Sequence, residues 1–248
     1  MPIFNITASS RVGCVRAHNE DMVLVGDQVI RDGETSLSVS VDDIDRLVVA
    51  VADGMGGHRS GDVASSDTIE NLRYFFSDLP VGLSDEQFRE FIVNWHASIH
   101  SILDSKGRAD ERYAKMGTTL VALVGYAHNY YWLNCGDSRL YRLHQGEFTQ
   151  VTTDHSLANE LGGNTPTNII TNCIGGGCRS SFIDMVQCND LIQPGDVLLL
   201  CSDGLSDLLP DDKISQMLQQ GSNATDLCLA AEAAGGYDNV SVVVIKIE

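Results

Sequence analysis

Residues 47–61 read LVVAVADGMGGHRSG, an apolar run that stops at Asp53 and is followed by four glycines in eight positions. The run LVVAVA (47–52) is typical of a buried β-strand. Asp53 therefore stands at the end of that strand, where an unpaired charge is costly unless it meets a proton or a counter-ion. The stretch predicts that Asp53 meets a group from elsewhere in the chain.

Other strand-like stretches also place a carboxylate at one end. VLLLCSDGLSD (197–207) ends a strand just before Asp203, LNCGDSRLY (133–141) carries Asp137, and YDNVSVVVI (237–245) begins a strand after Asp238. In an antiparallel sheet the start of one strand lies beside the end of its neighbour, so these carboxylates can share one edge. HNED (18–21) precedes the strand MVLVG and adds two more, Glu20 and Asp21.

Crowded carboxylates raise one another's pKa unless cations lie among them. Oxygen ligands without convergent His or Cys select Mg²⁺, Mn²⁺ or Ca²⁺ over zinc. Gly54 fits such a site, because a residue without a Cβ allows a backbone carbonyl to approach a metal. Two metals would lower the pKa of a bridging water and clamp a phosphoryl group, and Arg16 offers a guanidinium fork for phosphate oxygens. The alternative is a set of independent turn aspartates, since Asp-Gly is a common turn dipeptide.

Composition limits the classes of function. The 248 residues and 43% apolar content predict one globular domain. The 16 basic against 34 acidic residues give a net charge of −18, which argues against binding to nucleic acid or to an anionic membrane surface. Seven cysteines without a CxxC pair predict reduced thiols, and the N-terminus MPIFNITASS lacks the features of a signal peptide. We expect a cytoplasmic protein.

Hydrophobic periodicity predicts mixed secondary structure in an α+β order rather than strict βαβ alternation. We predict strands at 2–8, 22–26, 46–52, 118–126, 130–135, 139–143, 182–188, 197–202 and 240–247. We predict helices at 62–76, 84–104, 211–219 and 223–234. On the second of these, His96 and His100 have the i, i+4 spacing of a zinc site but lack its glutamate, so we expect them on a polar face.

The ordered motifs together resemble a known family. They are R-x-x-N-E-D (16–21), ADGMGGH (52–58), GTTL (117–120), GDSR (136–139), TTDHS (152–156), SDGLSD (202–207) and YDNVSVV (237–243). The chain, from Val12 to Ile247, is similar to the metal-dependent type 2C serine/threonine protein phosphatases in their compact bacterial form. The resemblance implies a four-layer α-β-β-α sandwich, two antiparallel sheets flanked by helices, with two Mn²⁺ or Mg²⁺ ions at one edge and a third, weaker ion.

The resemblance also implies roles for single residues. Asp53 matches the aspartate that bridges the two metals, and Gly54 matches the residue whose carbonyl binds the second metal. Asp203 and Asp238 match ligands that complete the first metal's site. Asp137 matches the carboxylate that, with Asp203, holds the third metal in bacterial relatives.

The remaining matches concern the substrate and the proton donor. Arg16 matches the phosphate-binding arginine, and Glu20 and Asp21 match acidic positions near the metal-bound waters. Where many eukaryotic members carry a histidine two residues after the bridging aspartate, this chain has Met55. His58 matches the histidine of the bacterial MGGH motif and is our candidate catalytic proton donor, with a metal-bound water as the alternative.

We expect one catalytic domain over residues 1–248, with a shortened flap at about 156–175, because only GGNTPT separates TTDHSLANEL from Asn168. The implied activity is hydrolysis of phosphoserine and phosphothreonine on proteins by a hydroxide bridging two metals, in a monomer that acts on the targets of a serine/threonine kinase. Two alternatives stay open. One is a catalytically silent, phosphoprotein-binding member of the same fold, and the other is a two-metal phosphodiesterase acting on nucleotides.

Overall fold

Two antiparallel β-sheets of six strands each form the centre of the computed structural model, which describes residues 3–40, 45–56, 60–162 and 169–248. The first sheet contains β1 (Ile3–Arg11), β4 (Gly33–Ser40), β10 (Arg139–His144), β11 (Glu147–Gln150), β14 (Val197–Cys201) and β15 (Val240–Ile247). The second contains β2 (Met22–Val25), β3 (Gln28–Ile30), β5 (Arg46–Ala52), β8 (Leu120–Tyr126), β9 (Asn129–Cys135) and β13 (Asp184–Gln187). Their strand orders are β11-β10-β14-β15-β1-β4 and β13-β9-β8-β5-β2-β3.

The two sheets pack face to face through apolar side chains that alternate along their strands. Phe4 and Ile6 of β1, Val49 and Val51 of β5, and Val243 of β15 belong to this central layer and are at most 1% exposed. Their neighbours in sequence point to the outer faces, where helices cover them. Both sheets are therefore buried on two sides, which explains the long apolar runs of the central strands.

Helices cover the outer faces. On the second sheet lie α1 (Gly61–Asp78) and α2 (Asp85–Ala109). On the first sheet lie α5 (Asp211–Gln219) and α6 (Ala224–Ala233). The predicted four-layer α-β-β-α sandwich is therefore confirmed. None of the helices in the described ranges is long and apolar enough to cross a membrane.

Small elements lie along one edge of the sandwich. A three-stranded sheet in the order β12-β7-β6 is formed by β6 (Gly54–Met55), β7 (Gly117–Thr118) and β12 (Ile174–Gly175). Two short helices are α3 (Leu157–Glu160) and α4 (Asp203–Ser206). This edge carries the carboxylates singled out in the sequence.

Two tight turns connect neighbouring strands. Ala127 and His128 both have positive φ, 48° and 63°, in the two-residue turn between β8 and β9. Gln145 and Gly146 have φ of 50° and 88° between β10 and β11. Positive φ at both central positions gives the turn whose twist matches the flanking strands.

The expected polar face for His96 is wrong. Its side chain is 3% exposed, and its ring stacks on that of His100 with centroids 6.3 Å apart. Ser181 Oγ lies 3.0 Å from His96 Nε2, and Gly175 N donates to His100 Nδ1 at 2.9 Å. The chain returning after residue 169 covers a second face of α2, which helical periodicity alone does not predict. Burial lowers the pKa of His96 to about 4.

Candidate active site

The pairing of β2 with β5 brings two predicted site residues together. Met22 pairs with Ala52 in antiparallel register. Asp21 precedes Met22 and Asp53 follows Ala52, so the two aspartates lie opposite one another. Asp21 is fully buried, and its carboxylate accepts a hydrogen bond from Ser202 Oγ at 2.8 Å. Asp53 is half-buried, at the mouth of the site.

The pairing of β14 with β15 brings a second pair together. Cys201 pairs with Val242, so the end of β14 lies beside the start of β15. Asp203 follows β14 as the first residue of α4, and Asp238 precedes β15 by two residues. Both side chains are half-buried.

These two pairs of aspartates lie together at the edge where the two sheets come into contact. The carboxyl groups of Asp53 and Asp203, which follow strands of different sheets, lie close enough together that each shifts the pKa of the other. Asp137 joins them through Thr119, whose backbone N–H donates to the Asp53 carbonyl at 2.9 Å. Thr119 Oγ1 is 2.7 Å from Ser138 Oγ, next to Asp137. Asp53 therefore lies within electrostatic reach of Asp21, Asp137 and Asp203.

The cluster is electrostatically strained. Burial, reinforced by the neighbouring carboxylates, raises the pKa of Asp53 well above its usual range. Burial raises the pKa of Asp21 and of Asp137 to about 7 each, and the nearby charge of Asp203 adds to both. Burial raises the pKa of Asp203 to about 6, although the interaction with Asp53 opposes the shift. These groups therefore keep their protons to a higher pH than ordinary aspartates do, unless a cation offsets their charge.

The donor set fits a divalent ion. One carboxyl oxygen of Asp21 and one of Asp203 are buried without a hydrogen-bond partner among the described residues, although buried polar atoms are nearly always satisfied. Within the described ranges no group of three or more Asp, Glu, His or Cys side chains is arranged so that it could hold a metal ion as it stands. The residues fit a divalent ion because carboxyl oxygens that lack hydrogen-bond partners and repel one another are gathered at one place. Mg²⁺ and Mn²⁺ prefer such hard oxygen ligands.

Arg16 lies at the rim of the cluster. Its Nη2 donates to Asp238 Oδ2 at 2.6 Å, and this hydrogen bond is the main reason that the pKa of Arg16 is raised. Its side chain is 53% exposed, and it lies within electrostatic reach of Glu20 and Asp53. The structure thus places a partly exposed cation beside the carboxylates.

Gly54 allows a close backbone approach. A Cβ at this position would lie 2.2 Å from the carbonyl oxygen of Gly61 and 2.5 Å from that of Glu20. Gly54 N also donates to the Glu20 carbonyl at 3.2 Å. The glycine is therefore required by contact with the start of α1, a reason that differs from the metal contact expected from the sequence.

Glu20 faces a different neighbour from the other predicted acids. Burial raises its pKa, and the next largest cause is Asp62 in the first turn of α1. Asp62 itself has a buried carboxyl oxygen without a hydrogen-bond partner among the described residues. Sequence reasoning missed Asp62, which lacks the strand-end position shared by the other aspartates.

Asn239 was also missed, although it lies within the motif YDNVSVV. Its Nδ2 donates to the carbonyls of Val12 and His18 at 2.9 Å each, and its Oδ1 accepts from Glu20 N at 2.8 Å. Three hydrogen bonds from one side chain therefore fix the loop that carries Arg16. The signal was the asparagine directly after Asp238, where a strand residue would usually be apolar.

Two predicted features lie partly or wholly outside the described residues. His58 falls in 57–59, and residues 163–168 of the predicted flap are likewise outside them. The described part of 156–175 contains α3, a single β-bridge between Ser156 and Ile170, and β12.

Comparison with known proteins agrees with this geometry. Residues 26–231 match the family model described as Protein phosphatase 2C. The chain is 31% identical to protein phosphatase PhpP of Streptococcus pneumoniae, with 98% of this chain and 97% of that protein covered. It is also 31% identical to serine/threonine protein phosphatase PstP of Mycobacterium tuberculosis, with 99% of this chain and 45% of that protein covered.

Solved structures give the same result. The serine/threonine phosphatase of S. agalactiae superposes with a TM-score of 0.83 at 28% identity, covering 99% of this chain and all of that one. The catalytic domain of PstP, solved in complex with two manganese ions, superposes with a TM-score of 0.74 at 30% identity and covers 100% of this chain and 99% of that one.

Proposed function

The chain belongs to the protein phosphatase 2C family, and we propose that it hydrolyses phosphoserine and phosphothreonine in proteins at the carboxylate cluster around Asp53. The observation that carries the proposal is the meeting of Asp53 and Asp203 from different sheets, beside the exposed guanidinium of Arg16. Such a site receives a phosphoryl group although the chain as a whole carries a net charge of −18.

We propose that Asp53, Asp203, Asp238 and the carbonyl of Gly54 hold two Mn²⁺ or Mg²⁺ ions, with Asp137 contributing to a weaker third. Bound there, the ions would lower the pKa of a water between them and polarise the phosphoryl group. The support in this chain is the unpartnered buried oxygen of Asp203 and the raised pKa values of Asp53 and Asp137. In the same proposal Glu20 and Asp21 would hold waters bound to the ions, with Ser202 fixing one oxygen of Asp21 and leaving the other available.

Arg16 orients the substrate in this proposal. A guanidinium has five N–H donors, and the hydrogen bond to Asp238 is the one described from the Arg16 side chain. The others can reach two phosphate oxygens at once, which fixes the direction from which water attacks. Direct attack by water requires no phosphoenzyme.

His58 is proposed to protonate the leaving serine oxygen. A serine alkoxide is a poor leaving group and needs a proton, whereas p-nitrophenolate leaves without one. A His58→Ala variant should therefore lose much more activity on a phosphoserine peptide than on p-nitrophenyl phosphate. Equal losses on the two substrates would remove His58 from this role.

The proposed substrates are proteins phosphorylated by a serine/threonine kinase, and we propose that the chain acts as a monomer. The test is activity of the purified protein on a phosphopeptide and on p-nitrophenyl phosphate, with Mn²⁺, with Mg²⁺ and with chelator. Asp53→Ala and Asp203→Ala should abolish turnover. Asp27→Ala is the matched control, because Asp27 is exposed at the opposite end of β2 from Asp21.

The same assay separates the alternatives. Faster turnover of bis-p-nitrophenyl phosphate than of the monoester would favour a phosphodiesterase. Binding of phosphoproteins without turnover under any metal would favour a catalytically silent member of the family. Full activity in Asp53→Ala or Asp203→Ala would refute the proposed site.

A further inference from the structure

Basic side chains without a partner are rare in this acidic chain. Most of the described lysines and arginines make an ion pair or a hydrogen bond to a carbonyl. Within the described ranges, three basic side chains make neither an ion pair nor such a hydrogen bond, those of Lys115, Arg179 and Lys213. With 34 acidic residues in the chain, a cation left unpaired stands out.

Two of these three side chains share one cavity. A cavity of about 380 Å³ lies between the C-terminal turn of α2 and the chain after β12, and both Lys115 and Arg179 line it. Arg108 of α2 lines it as well. Lys115 and Arg179 are both exposed, so a ligand can reach them.

The cavity contains one opposing charge. Asp104 also lines it, 3.7 Å from Arg108 Nη1 and 3.8 Å from His100 Nε2. Asp104 thus offsets Arg108 and leaves Lys115 and Arg179 without a counter-ion. The charged residues that line the cavity therefore sum to a positive local charge in a chain whose net charge is −18.

Helix electrostatics accounts for only part of this arrangement. Cations are favoured in the last turn of a helix, which explains Arg108. Lys115 and Arg179 are outside α2, which ends at Ala109. Lys115 also holds a positive φ of 62°, a conformation that is unfavourable for a residue with a side chain.

The cavity is close to the carboxylate cluster. Met116 lines the cavity and leads directly into β7, where Gly117 pairs with Met55 and Thr118 pairs with Gly54. Thr118 Oγ1 then donates to the Asp53 carbonyl at 2.8 Å. From Met116 to this contact is two to three residues of extended chain, a separation of at most about 10 Å.

We propose that this cavity binds an anionic side chain of the substrate protein, about three residues along an extended peptide from the phosphoserine that is hydrolysed. The inference rests on the proposed function and adds a substrate preference to it. The occupant carries a phosphoryl or a carboxylate group, because both accept hydrogen bonds from lysine and arginine.

The experiment compares phosphoserine peptides that differ at one position. The reference peptide has alanine three residues before and after the phosphoserine, and the test peptides carry glutamate or a non-hydrolysable phosphonate at one of those positions. Each is assayed with the wild type, with the Lys115→Ala/Arg179→Ala double variant, and with Lys213→Ala as the matched control from α5. Thermal denaturation establishes that all three proteins are folded.

In the wild type we expect kcat/KM to be higher for an anionic peptide than for the alanine peptide, through KM. In the double variant that ratio should fall roughly fivefold or more, and Lys213→Ala should leave it unchanged. A preference for the phosphonate alone identifies the occupant as phosphoryl, and an equal preference for glutamate identifies any anionic side chain.

A wild-type ratio of one, or a ratio that the double variant leaves unchanged, overturns the inference. p-Nitrophenyl phosphate is too small to reach both the carboxylate cluster and the cavity. Its turnover therefore tests the proposed function separately from the cavity proposal. If the wild type hydrolyses it while the ratio stays at one, the cavity proposal fails and the proposed function stands. If the wild type does not hydrolyse it under any metal, the proposed function fails, and the cavity proposal fails with it.

Discussion

Asp53 and Asp203 follow strands of different sheets, and at the edge where those sheets meet their carboxyl groups lie close enough that each shifts the pKa of the other. Two carboxyl groups placed so close together favour a state in which one of them holds a proton, because two carboxylates repel. A divalent cation can displace that proton into the solvent, and its two charges offset the repulsion between the carboxylates more fully. This exchange of proton for metal underlies the predictions below.

Stability without metal should fall as the pH rises. Asp21 has a pKa of about 7 in the folded chain, above the ordinary value of 3.8, so the folded state binds its proton more tightly than the unfolded state does. The contribution to stability is complete below the unfolded pKa and is lost as the pH rises through the folded one. Urea denaturation in chelator should therefore show a free energy of unfolding that decreases from pH 5 to pH 8.

The matched variant for this prediction is Asp21→Asn, which keeps an oxygen for the Ser202 hydroxyl. It should reduce the pH dependence and leave the part that comes from the raised pKa values of Asp53, Asp137 and Asp203, whereas Mn²⁺ should flatten it in the wild type. A wild-type stability that rises over the same pH range in chelator would contradict the account.

Arg16→Ala should reduce kcat/KM on p-nitrophenyl phosphate by about tenfold to a hundredfold, which corresponds to hydrogen bonds with a charged group worth about 1.5–3 kcal/mol. Arg16→Lys should recover only part of this loss, because an ammonium cannot hold two phosphate oxygens in a fork. Because the Arg16 side chain is 53% exposed, the melting temperatures of both variants should differ little from that of the wild type. Wild-type kinetics in Arg16→Ala would show that the phosphate is held elsewhere.

Asn239→Ala should both destabilise the fold and weaken activity. It removes three hydrogen bonds that hold the loop from Val12 to Glu20, at a cost of about 2–3 kcal/mol. Asn5→Ala is a control, because its one described side-chain bond, from Ser38, is exposed and should cost under about 1 kcal/mol. If Asn239→Ala lost no more stability than Asn5→Ala, the loop would not depend on this side chain.

Gly54→Ala should be strongly destabilising or fail to fold, because its Cβ would overlap the Gly61 carbonyl at 2.2 Å. Gly33→Ala is the matched control, since its Cβ would meet only Ile30 Cγ2 at an ordinary 3.4 Å and its φ is not positive. Circular dichroism melting of both variants checks the prediction. Comparable melting temperatures would show that the start of α1 can move.

Much of the fold could be predicted from hydrophobic runs alone. Central strands such as β5 and β15 are buried on both faces, so their sequences are almost continuously apolar. The edge strand β4, GETSLSVS, was missed because only Leu37 and Val39 of its side chains reach the central layer. The edge strand β11, EFTQ, was missed for the same reason. An edge strand buries few side chains, so its sequence shows only a weak hydrophobic pattern.

The site was predictable where chemistry and strand ends coincide. Asp53 and Asp203 were recognised in that way, and the family resemblance then gave them roles that composition and spacing could not. Asn239 was missed because its partner Val12 is 227 residues away in sequence. Asp62 was missed because it lies within the first turn of a helix, where an acidic residue is ordinary.

The most direct test is the anomalous scattering of crystals grown with Mn²⁺. We expect two manganese peaks bounded by Asp53, Asp203 and Asp238, with Asp53 in contact with both. Crystals in which Asp238 keeps its hydrogen bond to Arg16, with no anomalous peak between Asp53, Asp203 and Asp238 at saturating Mn²⁺, would contradict the account.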